Sequence, residues 1–120
     1  MNMASYIIQL LGGMDNLLFA LIVFIAINII ADIFVAITEK KRYSKVFLLN
    51  YIFKKAAIFI LVIISNTVGT IIESNCAIRS VVILFYISNE GLAILENINR
   101  LGVPLPQILV EILSQLKNKK

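Results

Sequence analysis

An all-α integral membrane protein, with three transmembrane helices and a short C-terminal amphipathic helix, is the fold class this sequence predicts. Three observations carry it. First, 60% of the 120 residues are hydrophobic and the mean hydropathy is +0.94, against about 45–50% apolar residues in a typical soluble domain. Second, three apolar stretches, residues 17–37, 56–72 and 77–95, take up nearly half of the length, and about 20 helical residues cross a hydrocarbon core of about 30 Å. Third, the basic side chains gather in two places, as membrane topology requires. Residues 1–120 are therefore read as a single membrane domain.

The first span is expected to be retained rather than cleaved as a signal peptide. Its apolar run is too long for an h-region, and the only charged side chain before Leu17 is Asp15, so no basic n-region precedes it. Within this span Asn28 and Asp32 stand one turn apart on one face. An aspartate at mid-helix costs roughly 2.5–3.5 kcal/mol to insert, less near the end. Asp32 is thus read either as reaching toward Lys40 and Lys41, or as joining Asn28 against a neighbouring helix or an aqueous lumen.

Lys40, Lys41, Arg42, Lys45, Lys54 and Lys55 crowd the connection to the second span, opposed only by Glu39. They act as topology determinants and place this loop in the cytoplasm, with Lys54 and Lys55 extending a short second span by snorkelling. The N-terminus then lies outside and the C-terminus, with Lys117, Lys119 and Lys120, lies inside. In the second span Ser65 and Gly69 form a small-xxx-small pair suited to close helix packing. Glu73-Ser-Asn-Cys-Ala then makes a tight outer turn.

The third span is the polar one. At 100° per residue, Arg79, Tyr86, Asn89, Glu90, Ala93, Glu96, Asn97 and Arg100 fall within roughly one third of the helix circumference. Lipid does not solvate such a stripe, so these residues are candidates for a pore lining or an oligomer interface, with burial inside the protomer as the alternative. Pro104 and Pro106 stop this helix and open another. Over residues 104–117 the apolar Ile108, Leu109, Ile112, Leu113 and Leu116 recur at helical spacing, which predicts an interfacial helix on the inner leaflet. A coiled segment between subunits is the competing reading.

Catalysis is not expected. The sequence has no histidine and one cysteine, Cys76, so an intramolecular disulfide is impossible and a zinc site has almost no ligands. There is no Gly-rich phosphate loop, G-x-S-x-G elbow or His-based triad. Neither a cofactor nor a nucleic-acid partner is expected.

The run FYISNEGLAILENINRLGVPLP over residues 85–106 resembles the C-terminal signature of the toxin-secretion and phage-lysis holins of Gram-positive bacteria and their phages. The matching positions are Ser88, Asn89, Glu90, Gly91, Leu95, Glu96, Asn97, Gly102, Pro104 and Pro106. The detailed resemblance covers about a fifth of the chain, and the first two spans resemble the family only in hydropathy, loop charge and length. What the resemblance implies is a homo-oligomeric, non-enzymatic protein of the bacterial cytoplasmic membrane. Such a protein opens lesions that release an endolysin for host lysis, or a large toxin. An antiholin that delays a partner holin and a small channel or transporter subunit are the other readings.

Overall fold

The structure, a computed structural model, describes residues 2–73 and 77–118. Ser74, Asn75 and Cys76 of the turn after the second span, and Lys119 and Lys120 of the tail, lie outside the described residues. Among the described residues five helices follow in order: α1 Met3–Leu10, α2 Asn16–Thr38, α3 Lys45–Ile71, α4 Ala77–Arg100 and α5 Gln107–Asn118. Three of them, α2, α3 and α4, are long and apolar enough to cross a membrane. At 1.5 Å per residue they measure about 35, 40 and 36 Å.

Local chemistry sets the helix ends. The Asp15 carboxylate accepts from Leu18 N at 2.9 Å and opens α2, and Ser44 Oγ accepts from Phe47 N at 3.1 Å and opens α3. The second spanning helix therefore begins at Lys45 rather than at 56, because the Ser44 cap lets it start inside the basic segment. Lys54 and Lys55 are helical residues, not loop residues. At the end of α4, Gly102 takes φ +92°, Val103 N donates to Ile98 O at 3.2 Å and Gly102 N to Asn99 O at 3.0 Å. This is a left-handed cap that glycine adopts without steric cost. Pro104 and Pro106 occupy the turn behind it, so the tail helix starts at Gln107, later than the expected 104.

α4 is the hub. α2, α3 and α5 each pack against it, and α2 and α3 pack more extensively on α4 than on each other. Leu18, Leu21 and Ile25 of α2 meet Ile58 and Val62 of α3 and Ile83 and Ile87 of α4 in the apolar core. Ser65 and Gly69 are buried on the same α3 face as Ile58 and Val62. Elsewhere the distribution is inside out. Phe19, Ile30, Phe34, Ile52, Phe53, Ile60 and Ile64 are exposed, while Asn28, Arg79, Glu90 and Asn97 are buried. Water does not favour that arrangement and hydrocarbon does.

Two helices differ from expectation. α1 carries no charge and was not anticipated; it is tied to α3 where Asn66 Nδ2 donates to Leu10 O at 3.2 Å. α5 turns back along α4 instead of lying apart from the bundle. A Cβ built on Gly91 would stand 2.9 Å from Leu113 Cδ1 and 3.1 Å from Phe24 Cε2, so the missing side chain admits both neighbours. Half of the α5 apolar face thus packs on α4, and Ile108, Leu109 and Ile112 stay exposed.

Gly91→Ile is expected to push α5 off α4 and to cost about 1–3 kcal/mol by overpacking. Unfolding of the detergent-solubilised protein followed by circular dichroism checks this, and Leu113→Ala in the same chain is expected to restore part of the loss.

Candidate functional site

Ten residues from the Arg100 end of α4, the Glu90 carboxyl group sits in the middle of the bundle, 2% exposed. Lys55 Nζ of α3 donates to its two oxygens at 2.9 and 3.0 Å, and Asn28 Nδ2 of α2 donates to Oε2 at 2.7 Å. One carboxyl group therefore ties all three spanning helices. A second layer lies one to two turns nearer the basic loop. Asn97 Nδ2 donates to Asn28 Oδ1 at 3.2 Å and to Asp32 Oδ1 at 2.7 Å, and the Tyr51 hydroxyl donates to Asp32 Oδ2. Lys55 Nζ stands 5.4 Å from the centre of the Tyr51 ring, within cation–π range. The result is a continuous polar network of six side chains inside an apolar protomer.

A second polar cluster closes the opposite end. Arg79, 2% exposed, donates through Nε to Leu11 O at 2.6 Å, through Nη2 to Gly13 O at 3.1 Å and through Nη1 to Asp15 Oδ2 at 2.8 Å. The backbone wraps it closely because Gly12 and Gly13 take φ +97° and +95°. A Cβ at Gly12 would run into the guanidinium itself. At the other end of α4, Arg100 Nη2 donates to Glu39 Oε1 at 2.5 Å in an exposed pair that Lys41 joins at 3.2 Å.

The polar arc of α4 is thus divided along its length. Arg79, Glu90 and Asn97, on one edge, are buried inside the protomer, and Tyr86 and Ala93 are half-buried. Asn89, Glu96 and Arg100, on the other edge, are exposed beside Val81 and Phe85. The protomer brings Asn28, Asp32, Glu90 and Asn97 together and leaves Asn89 and Glu96 out. Asp32 pairs with Tyr51 and Asn97, not with Lys40 or Lys41. Of the basic topology residues, Lys55 turns inward to Glu90 while Lys40, Lys41, Arg42, Lys45 and Lys54 are exposed.

Tyr51 and Lys55 were missed as network members, although a signal existed. Positions 51 and 55 continue the buried α3 stripe at 58, 62, 65 and 69 by helical spacing. The motif residues 88–91 have distinct tasks: Ser88 Oγ returns to Leu84 O at 2.8 Å, Asn89 faces out, Glu90 faces in and Gly91 admits α5. Among the described residues no cluster of His, Cys, Asp and Glu suited to a metal ion is found.

Comparison with known proteins agrees with this motif reading over a far longer stretch. The profile of the bacteriophage holin family matches residues 5–118. The chain belongs to that family. A probable holin of Bacillus phage phi105 is 34% identical over 85 residues, covering 71% of this chain and 62% of the relative. An uncharacterized 14.9 kDa protein in the nagH 3' region of Clostridium perfringens is 34% identical over 110 residues, covering 91% and 83%. The uncharacterized protein YqxH of Bacillus subtilis is 32% identical over 113 residues, covering 94% and 79%. No solved structure matches the chain. Holin-family membership and three apolar spanning helices make this a holin-like, multi-pass protein of the cytoplasmic membrane. The family points to a non-enzymatic role.

Two predictions follow from this geometry. Lys55→Met leaves the Glu90 carboxyl group buried without its ammonium partner and is expected to cost about 3–5 kcal/mol, most of which Lys55→Met/Glu90→Gln recovers. A double-mutant cycle of unfolding in micelles reads that coupling. The second concerns acid. Hydrogen bonding from Arg79 holds the Asp15 carboxyl below its ordinary 3.8, and Lys41, followed by Arg100, holds that of Glu39 below 4.5. A lowered folded-state pKa adds stability above the unfolded value and loses it as pH falls through the folded one. The unfolding midpoint is therefore expected to be flat above about pH 5 and to drop in more acid solution, with a smaller drop in Asp15→Asn.

Proposed function

We propose that the chain, acting as a single membrane domain, is a pore-forming holin. Its copies gather in the bacterial cytoplasmic membrane and open lesions through which an endolysin, or a large toxin, leaves the cell. The observation that carries this reading is the exposed edge of α4. Asn89 lies about 18 Å from the Ala77 end and about 17 Å from the Arg100 end of the helix, at 1.5 Å per residue, so it falls at bilayer mid-depth. Glu96 shares that edge, one to two turns nearer Arg100. Hydrocarbon offers neither side chain a hydrogen-bond partner. A second copy of α4, or water held between copies, does.

The buried network supplies the rest of the mechanism. In a lone protomer Glu90, Asn97 and Asn28 satisfy one another and Lys55, so the molecule sits in lipid without leaking. When copies associate along the Asn89–Glu96 edge, rotation of α4 by about a third of a turn brings the buried edge of the arc toward the shared axis. The polar groups that latch the protomer then face solvent in the assembly. The orientation that suits this is N-terminus outside and C-terminus in the cytoplasm, with Lys40, Lys41, Arg42 and Lys45 inside.

Induced synthesis of the chain alone is expected to collapse the membrane potential and halt growth. A host that keeps full potential at high levels of inserted protein overturns the proposal, and delayed lysis by a separate holin under those conditions marks an antagonist instead. Asn89→Leu/Glu96→Leu makes the exposed edge lipid-compatible while sparing the buried network. It is expected to insert normally, to lose crosslinkable oligomers and to delay or abolish the collapse at equal membrane abundance.

A further inference from the structure

α2 and α3 each pack more extensively on α4 than on each other, and a groove lies between them at the end bearing the basic loop. Its volume is roughly 560 Å³, within the range of about 300–1,000 Å³ typical of small-molecule sites. The walls are apolar, with Ile29, Ile33 and Ala36 on α2 and Phe47 and Leu48 on α3. The rim is cationic, with Lys40, Lys41, Arg42 and Arg100.

We propose that this groove is a binding site for an anionic phospholipid, with one acyl chain laid between α2 and α3 and the phosphate held at the rim by Arg42 and the neighbouring lysines. Three observations support that occupant. The walls belong to helices that cross the membrane, so what reaches them laterally is lipid, and they offer little to a polar ligand. Only Glu39 opposes the four rim cations; it engages Lys41 and Arg100, and among the described residues Lys40 and Arg42 make no ion pair. The one acidic side chain in the groove lining, Asp32, has both oxygens engaged, by Tyr51 and Asn97. Guanidinium and ammonium groups above an apolar slot match a phosphodiester on a hydrocarbon tail. A free phosphate would use the rim and leave the slot unfilled. This site stands independently of pore formation.

The test is native mass spectrometry of the full chain in detergent with equimolar phosphatidylglycerol and phosphatidylcholine. Phosphatidylglycerol is expected to be retained roughly tenfold over phosphatidylcholine, and Lys41→Gln/Arg42→Gln to remove most of that preference. Ala36→Phe narrows the slot with no change of charge and is expected to reduce retention of both lipids, with circular dichroism confirming helix content. Lys54→Gln removes an exposed cation that does not line the groove and is expected to leave the preference unchanged. Equal retention of the two lipids overturns the site, as does a Lys54→Gln effect as large as that of the rim variant. Full displacement of phosphatidylglycerol by millimolar inorganic phosphate also overturns it, by reducing the site to a phosphate contact without a chain.

Discussion

The carboxyl group of Glu90, held between the Lys55 ammonium and the Asn28 amide, is the contact on which the assembly of the three spans rests. Apolar faces alone give little direction in lipid, since hydrocarbon tails are as apolar as leucine and provide no hydrophobic drive for helix association. A buried charged pair supplies direction. Its net worth is small, because removing two charges from water offsets their attraction, but mispairing is severely penalised. Any register that separates Glu90 from Lys55 strands both groups. The network therefore fixes which helices meet, at what depth and in what rotation, while Leu18, Leu21, Val62 and Ile83 fill the space around it.

Around this centre the two ends of α4 are fastened differently. At one end Arg79 is caged by backbone carbonyls and Asp15, in a turn that only consecutive glycines with positive φ allow. At the other, Arg100 and Glu39 form an exposed pair that competing water and salt weaken. The firm end and the loose end have opposite surroundings: the loose end adjoins the groove between α2 and α3 and the cationic loop. The polar layer nearest that end, Asp32, Tyr51 and Asn97, is also the one that the groove touches.

Much of this was legible in the residues. Three spans, their order, the amphipathic tail and the family signature all follow from hydropathy, helical period and motif. The polar arc of α4 was also legible as an arc on one third of the helix. What the period did not reveal is that a boundary runs lengthwise through it, with Glu90 and Asn97 on one side and Asn89 and Glu96 on the other. A helical wheel assigns angles to side chains but says nothing of which angles a neighbour covers. The basic segment misled for a related reason. Counting charges treats Lys54 and Lys55 alike, yet the 100° between neighbouring helical residues points one at the surroundings and the other at a carboxyl group 35 residues away in sequence.

The amino-acid sequence by itself determined that this chain belongs in a bilayer, that it crosses with three helices and that one of them is too polar to face lipid all round. Those properties are sums over local segments, and transfer from water to hydrocarbon is additive enough to be read residue by residue. Only the tertiary structure decided which polar groups pair. Lys55 finding Glu90, Asp32 finding Tyr51 and Arg79 finding the Leu11 and Gly13 carbonyls depend on rotations and depths set by several helices at once. An unpaired buried polar group costs more than any local preference returns, so it is the whole set of partners, not the segment, that chooses.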